Sequence, residues 1–316
     1  MCKISVIIPV YNAEKYIEKT LEIISSQTLK DIEIICVDDG SNDKSALLIK
    51  KHQVNDSRIK YYFQQNSGAG QARNLGIKKS NGAYIAFMDA DDAYPNNYVL
   101  EQLYNTASNN EAIICGGSAV FENSDINDEK RKFFVKGFVS FKDYQFDYLF
   151  QRFIFKRIFV IDNQIYFPNY RVYEDPVFLV NVMVKATKFY AINTDVYLYT
   201  GAHQSMNMNI DKTKDFLKAL IEELQITAHY NLSNLHKLTF ERLENEACFY
   251  AEKYLYEGDK EIFNLVLQAN NAVDKALINL DSNYIIRSIS DLWKAGQKYM
   301  KIRNLKIVRL LSKIRN

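Results

Sequence analysis

Proline is scarce in this sequence, at 4 of 316 residues, and glycine numbers only 11. So few chain-breakers exclude a collagenous, linker-rich or disordered chain. Cysteine is sparse too: Cys2, Cys36, Cys115 and Cys248 form no CxxC pair, and their spacings fit no zinc signature. Reduced thiols are therefore expected, as in a cytoplasmic protein. An excess of either charge is missing, with 40 Lys+Arg against 38 Asp+Glu and a formal net charge of +2. That balance excludes a protein whose main work is gripping nucleic acid through a basic face. No uncharged apolar run reaches the ~18 residues of a membrane span. The opening Met1-Cys2-Lys3 leads into β-like sequence, not into a signal-peptide core. A soluble or peripheral protein that stays in the compartment of its synthesis is expected.

The rest of the composition is that of a globular protein, with 47% hydrophobic and 25% charged residues. The first third alternates strand and helix signals. Apolar runs at Ile4 to Val10, Ile32 to Val37, Ile59 to Phe63 and Tyr84 to Met88 read as buried strands, and Ala112 to Cys115 as a fifth. Between them, Tyr16, Ile17, Leu21 and Ile24 recur at helical spacing with Asn12 as the expected cap. Lys44 to Lys51, Gly70 to Lys79 and the stretch after Pro95 read as further helices. This alternation predicts an α/β fold with a mostly parallel sheet and right-handed crossovers. Residues 121–210 mix aromatic strands with charged loops, and Phe150 to Phe167 is dense in aromatic and basic residues, most of them expected in the core. From Lys212 onward the pattern is helical. The expected organisation is 1–120 and 121–210 as two halves of one domain, followed by a helical region over 211–316.

In a parallel sheet, ligands bind beyond the carboxyl ends of the strands. Three polar clusters fall there: Tyr11-Asn12, Asp38-Asp39 and Asp89-Ala90-Asp91-Asp92. Carboxylates are hard oxygen ligands that suit Mg²⁺ or Mn²⁺, with substrate phosphates and water completing the shell. A strand-end carboxylate also accepts hydrogen bonds from a base N–H or a ribose hydroxyl. Asp38 and Asp39 alternate in side along an extended strand, so one of the two is expected to face a ligand. Tyr11 offers a flat face to a nucleobase. Arg73 has two readings, a contact to a diphosphate or base carbonyl and a surface salt bridge.

The ordered motifs resemble family-2 glycosyltransferases of the GT-A fold. The resemblance rests on Ser5-Val6-Ile7-Ile8-Pro9-Val10-Tyr11-Asn12, Val37-Asp38-Asp39-Gly40-Ser41-Asn42-Asp43, Asn66-Ser67-Gly68, Ala72-Arg73-Asn74-Leu75-Gly76, Phe87-Met88-Asp89-Ala90-Asp91-Asp92 and Glu174-Asp175-Pro176-Val177-Phe178. It spans residues 3–205 and implies a Rossmann-like nucleotide-diphospho-sugar transferase domain with a C-terminal helical extension. It further implies that Pro9, Tyr11, Asp38 and Arg73 hold the uridine part of a UDP-sugar, with Asn12 in the same nucleotide-sugar-binding set. Asp89 matches a ribose- or metal-side acid, Asp91 the principal Mn²⁺ or Mg²⁺ ligand and Asp175 the catalytic base. His203 stands where it is either a further metal ligand or an acceptor-side loop residue. Asp175 followed by Pro176 also reads as a helix start, with Asp175 as its cap. The implied activity is inverting transfer of one sugar to a hydroxyl of a glycan or lipid-linked acceptor, in bacterial surface-polysaccharide, lipooligosaccharide or glycoprotein glycan assembly.

Other classes fare worse. A dinucleotide dehydrogenase wants GxGxxG after the first strand, whereas Gly68-Ala69-Gly70 comes late and Arg73 takes the third glycine's place. A processive synthase wants membrane spans and Q-x-x-R-W, yet the single tryptophan lies in Ser290-Asp291-Leu292-Trp293. Intact Asp91 and Asp175 argue against a non-catalytic nucleotide-sugar-binding or scaffold subunit. Lys298 to Asn316 holds seven Lys/Arg and no acid; on a helix Ile307, Leu310, Leu311 and Ile314 share one face. That segment reads either as an interfacial helix on the cytoplasmic face of the inner membrane or as a helix packed on the body.

Overall fold

The computed structural model describes residues 2–122, 131–200 and 207–291. The chain divides into two compact units, Met1–Ser205 and Met206–Asn316.

Among the described residues the first unit is built on eight strands: β1 (Ile4–Val10), β2 (Ile32–Asp38), β3 (Ile59–Phe63), β4 (Tyr84–Phe87), β5 (Ile114–Phe121), β6 (Gly137–Ser140), β7 (Phe153–Lys156) and β8 (Lys188–Tyr199). They form one sheet in the order β3-β2-β1-β4-β7-β5-β8-β6. β1, β2, β3 and β4 run parallel, as do β5 and β8, while β7 lies antiparallel between β4 and β5, and β6 pairs antiparallel with β8. The helices are α1 (Ile17–Ser25), α2 (Ser45–Asn55), α3 (Ala69–Lys79), α4 (Val99–Asn109), α5 (Phe141–Tyr144), α6 (Arg157–Asp162) and α7 (Glu174–Ala186). A 3₁₀ turn at Phe150–Arg152 precedes β7.

Alternation along β1 divides the core between the two faces of the sheet. Ile4, Val6, Ile8 and Val10 join Ile17, Leu21 and Ile24 of α1 and Val99, Leu100 and Leu103 of α4 in one buried cluster. Ile7 points the other way, under α3. Gly76 makes that contact possible, because a Cβ there would lie 2.3 Å from Ile7 Cγ2. The chain visits β1, β2 and β3 and then returns to β4 on the far side of β1, so the strand order reverses at the β1/β4 boundary. That reversal is where the carboxyl ends of a parallel sheet leave a crevice.

Three expectations from the sequence change in detail. The fifth strand is longer than Ala112 to Cys115, because Gly116 and Gly117 pass beneath Phe153 and Val196 where no Cβ fits. Asn12 does not cap α1, which begins at Ile17 after Tyr16. Instead Asn12 takes a left-handed conformation (φ 50°), its N–H donates to Ser41 Oγ (3.0 Å), and its Oδ1 accepts from Asn42 N–H (2.9 Å). Asp175 does not cap α7 either, since the helix starts at Glu174. Both acids lie in the first turn, where the helix dipole favours negative charge.

The second unit is helical: α8 (Ile210–His229), α9 (Ser233–Arg242), a π-helical turn (Leu243–Ala247), α10 (Cys248–Tyr256) and α11 (Lys260–Ala272). Asn209 and Asp259 cap α8 and α11 through side-chain bonds to Lys212 N–H and Ile262 N–H. Among the described residues no helix is long and apolar enough to cross a membrane. His203 and Lys298 to Asn316 lie outside the described residues.

Gly76→Ala gains helix propensity, about 1 kcal/mol, but drives a methyl into Ile7. The net expectation is a loss of about 1–2 kcal/mol, read as a lower denaturant midpoint at unchanged m-value. A midpoint equal to wild type would show that α3 is not seated by this contact.

Candidate active site

The three strand-end clusters meet the sheet edge at comparable levels, because Val10 pairs with Asp38 and Ile7 with Phe87. Tyr11 is 52% exposed there, Pro9 partly exposed and Asn12 exposed. The β1 and β2 loops are laced together: Ala13 N–H donates to Ser45 Oγ (2.8 Å) and Asp39 N–H to Val10 O (2.8 Å).

Asp38 and Asp39 divide their work in a way the sequence left open. Asp39 accepts from Gln64 Nε2, Ser67 N–H and Gly68 N–H, each at 2.8 Å, so it ties down the loop that enters α3. Asp38 accepts from Ser41 N–H and Tyr61 O–H, each at 2.8 Å. Both are buried, at 1% and 2% exposure, so in this conformation neither carboxylate opens on the crevice.

Arg73 is the centre of the remaining acids. It is not the surface salt bridge that one reading of the sequence allowed, for it is buried on α3. Its Nη2 donates to Asp89 Oδ1 at 2.8 Å and its Nη1 to Glu174 Oε1 at 3.0 Å. The guanidinium carbon lies 5.0 Å from the Phe150 ring centre and 5.3 Å from that of Phe167. These rings contact Phe87 and Phe178, so most of the aromatic block is core, as expected. Burial works against the Arg73 charge, but Asp89 and then Glu174 outweigh it and hold the side chain cationic.

Two residues of α3 make room for this arrangement. A Cβ on Gly70 would fall 2.9 Å from Glu174 Cγ, so α7 can approach only because a glycine is there. Asn74 fastens the chain leading to α7, donating to Phe167 O (2.8 Å) and accepting from Phe167 N–H (2.9 Å). Gly70, Arg73 and Gly76 recur at i, i+3, i+6 and so share one face of the helix.

Asp89 is held on both oxygens, since Gln151 Nε2 donates to Oδ2 at 2.8 Å. Gln151 in turn accepts from Tyr199 O–H (2.7 Å). Tyr197 O–H accepts from Asp89 N–H (3.1 Å) and donates to Asp92 Oδ2 (2.9 Å), while Thr200 N–H donates to Asp92 Oδ1 (3.0 Å) and Thr200 Oγ to Asp91 O (2.5 Å). β8 therefore fixes the whole acidic turn.

Burial, with Asp89 adding to it, pushes the Asp92 carboxyl up to about 7. Asp175 keeps a partly exposed edge beside Glu174. Burial of the rest, then the Glu174 charge, push it up to about 7 against the pull of Arg73; Asp89 also raises it. An unperturbed aspartate near 3.9, as the sequence alone suggests, is thus not what stands here. The same acids raise Tyr197 and Tyr199 well above the usual phenol value, after burial.

Among the described residues no group of three or more His, Cys, Asp or Glu side chains gathers as a metal site. The chemistry of the donors still fits Mg²⁺ or Mn²⁺. Asp91 is a hard carboxylate at the partly exposed edge of the crevice, and such ions take one or two protein carboxylates and complete the shell from substrate phosphates and water. Sequence reading missed Gln151 and Tyr197 as parts of the site, and it placed Asp92 in the acidic cluster without a role of its own. Gln151 belongs to no motif, whereas Tyr197 and Tyr199 alternate on β8 and face one side.

The sequence pattern of Glycosyl transferase family 2 matches residues 5–174. The chain is 29% identical over 245 residues to Glycosyltransferase GlyG of Streptococcus pneumoniae, covering 70% of this chain and 79% of GlyG. It is 44% identical over 116 residues to Glycosyltransferase GlyA of the same species, 37% of this chain but only 16% of GlyA. Against the uncharacterized glycosyltransferase EpsJ of Bacillus subtilis it is 39% identical over 122 residues, covering 39% of this chain and 35% of EpsJ. In three dimensions it resembles residues 1–349 of Staphylococcus aureus TarS, solved with UDP-GlcNAc, with a TM-score of 0.72 at 22% identity over 87% of this chain and 82% of that one. A Pyrobaculum calidifontis mannosyltransferase, solved with GDP-Man and Mn²⁺, gives 0.54 at 14% identity over 98% of this chain and 83% of its own. At such identities the likeness is one of fold, the GT-A fold.

A buried acid whose folded pKa exceeds its unfolded value favours folding at low pH and opposes it once ionised. For Asp92 that window runs from about 4, the unfolded value, to about 7. Asp92→Asn should therefore be more stable than wild type at pH 8, on the order of 1–2 kcal/mol, and the gain should vanish by pH 4. Thermal melts across this range that leave the difference constant would remove Asp92 as a buried charge.

Proposed function

The chain belongs to glycosyl transferase family 2, and from that membership we propose that it transfers one sugar, with inversion, from a UDP-sugar to a hydroxyl of a glycan or lipid-linked acceptor. The observation that carries this reading is the junction at Arg73, which brings Asp89 of the acidic turn and Glu174, the neighbour of Asp175, onto one guanidinium.

In the proposal, residues 1–120 hold the nucleotide sugar. Tyr11 stacks on the base, with Pro9 and Asn12 lining the same mouth. Asp38 turns from Tyr61 to bind uracil or ribose, and Asp89 meets the ribose while Arg73 and Gln151 keep it oriented. Arg73 also supplies positive charge behind the nucleotide. Asp91 is the principal ligand of Mg²⁺ or Mn²⁺, and His203 a second candidate. Such an ion, when bound, offsets charge growing on the departing diphosphate.

Residues 121–210 form the acceptor side. Asp175 accepts the proton of the acceptor hydroxyl as the oxygen attacks the anomeric carbon. Attack comes from the face opposite the diphosphate, which inverts that centre. A carboxyl poised near 7 is a better base than an ordinary aspartate and is still largely ionised just above neutrality. The first turn of α7 fixes its direction, so part of the rate is positional. The proposed setting is bacterial surface-polysaccharide, lipooligosaccharide or glycoprotein glycan assembly, in the cytoplasm.

A panel of UDP-, GDP- and TDP-sugars with Mn²⁺ should release nucleoside diphosphate from a UDP-sugar preferentially; equal release from all three would contradict the donor class. Asp175→Asn should reduce transfer at least a thousandfold while UDP affinity changes less than threefold. Wild-type kcat should fall below pH 7, because a protonated Asp175 accepts nothing. A profile flat to pH 5 would remove Asp175 from the base role. Asp91→Ala should abolish the difference in UDP affinity that calorimetry finds with and without EDTA; a difference that survives would assign the ion to other residues.

A further inference from the structure

The acidic turn after β4 carries three carboxylates, and the structure divides them. Asp89 is taken up by Arg73 and Gln151, at 2.8 Å on each oxygen. Asp92 is turned inward and is 2% exposed. Its Oδ2 accepts from the Tyr197 O–H (2.9 Å) and its Oδ1 from Thr200 N–H (3.0 Å). Asp91 stands at the partly exposed edge. The proposed transfer gives Asp89 and Asp91 their work and leaves Asp92, Tyr197 and Thr200 without any.

The backbone of the turn is held as closely as its side chains. Asp92 N–H donates to Asp89 O (3.1 Å), which closes the turn. Asp89 N–H donates to the hydroxyl oxygen of Tyr197 (3.1 Å). One fully buried hydroxyl thus receives from the first acid of the turn and donates to the last. The carbonyls between them are taken as well: Thr20 Oγ of α1 donates to Ala90 O (2.8 Å) and Thr200 Oγ to Asp91 O (2.5 Å). Ala93 and Leu198 exchange both backbone bonds, at 3.1 and 2.9 Å, and join the turn to the end of β8.

We infer that Asp92 is the inward anchor of this turn, and that Tyr197 and Thr200 are positioning residues that aim the Asp91 carboxylate at the crevice. The inference rests on the reading of Asp91 as the ligand of Mg²⁺ or Mn²⁺ and says what makes it one. Its first support is direction. The Asp91 carbonyl is tied to Thr200 and the next side chain is tied inward, so the Cα–Cβ bond of Asp91 is held between two fixed points. The second is the cost of burying a charge, which is met only by hydrogen bonds. Asp92 has two donors, and both come from the end of β8. An apolar residue there would offer Tyr197 and Thr200 nothing to hold. The third is what such an ion demands. It takes one or two protein carboxylates, so the groups behind each one govern affinity, typically by tenfold or more.

The same contacts argue against Asp92 as a ligand in its own right. Both of its oxygens accept from β8, and turning it outward would leave the Tyr197 hydroxyl and the Thr200 N–H without this acceptor inside the fold.

Calorimetric titration of Mn²⁺ into the full chain saturated with UDP tests the assignment. Thr200→Val removes the bond to the Asp91 carbonyl and keeps the Thr200 N–H. It should weaken Mn²⁺ binding about tenfold, and Tyr197→Phe at least as much. UDP affinity measured in EDTA should stay within twofold of wild type in both. Excess Mn²⁺ should bring kcat back to within threefold. Val196→Ala is the control for simple loosening, since Val196 is buried on β8 and its side chain packs over Gly117. It should lower the melting temperature and leave Mn²⁺ affinity unchanged. Where Tyr197→Phe fails to fold, Thr200→Val, at a partly exposed position, carries the decision. Mn²⁺ affinity that neither variant moves overturns the inference alone. So does an equal loss in Val196→Ala, or a loss of UDP affinity in EDTA as large as the loss for Mn²⁺. A wild-type UDP complex that binds no Mn²⁺ overturns the reading of Asp91 and this inference with it.

Discussion

One buried guanidinium sets the terms for the site. Asp89 and Glu174 come from opposite sides of the crevice, one at the end of β4 and one in the first turn of α7. They meet only because Arg73 lies between them with two separate bonds. Without a cation there, two carboxylates so close would repel, and at least one would take up a proton. Phe150 and Phe167 flank the guanidinium and keep water from it, which strengthens both bonds and raises the cost of removing either partner. The arrangement is weak evidence for stability, since buried ion pairs seldom exceed the desolvation they incur. It is better evidence for position: Asp175 follows Glu174, so whatever fixes Glu174 also fixes Asp175.

The backbone is shaped around that contact. Gly70 and Gly76, one turn either side of Arg73, remove the side chains that would hold α3 off α7 and off β1. Asn74 binds both backbone groups of Phe167 and so delivers the chain to α7 at a fixed angle. From the other side Tyr197, Tyr199 and Thr200 hold the Asp89–Asp92 turn on β8. The cost of gathering these acids is visible in Asp92 and Asp175, both pushed up to about 7 chiefly by burial. A site that keeps acids near neutrality is one suited to moving protons near neutral pH.

Much of this was legible in the residues. The parallel core showed itself in continuous apolar runs, because strands covered on both faces have no polar side to display. Glu174-Asp175 and Ala72-Arg73-Asn74-Leu75-Gly76 stood out as motifs, and the structure joins them through Arg73. The partners were not legible. Gln151 and Tyr197 act through contacts 62 and 108 residues away in sequence, and nothing local marks such pairs. Asn12 has the chemistry of a cap, yet the loop after β2 bonds it first. Asp38 has the chemistry of a base-reading acid, yet Ser41 and Tyr61 occupy it in this conformation. The raised carboxyls could not be read at all, since burial is a property of the fold and not of the residue.

Arg73 is proposed to position Asp175 through Glu174, the two side chains acting as one unit. A double-mutant cycle on the transfer rate measures this directly, with Arg73→Met, Glu174→Gln and the pair compared under saturating donor. Acting as a unit, the two should be strongly non-additive, with the pair no slower than the worse single variant and a coupling on the order of 1–3 kcal/mol. Losses that simply add would mean that the two side chains serve the reaction separately, and the account would fail.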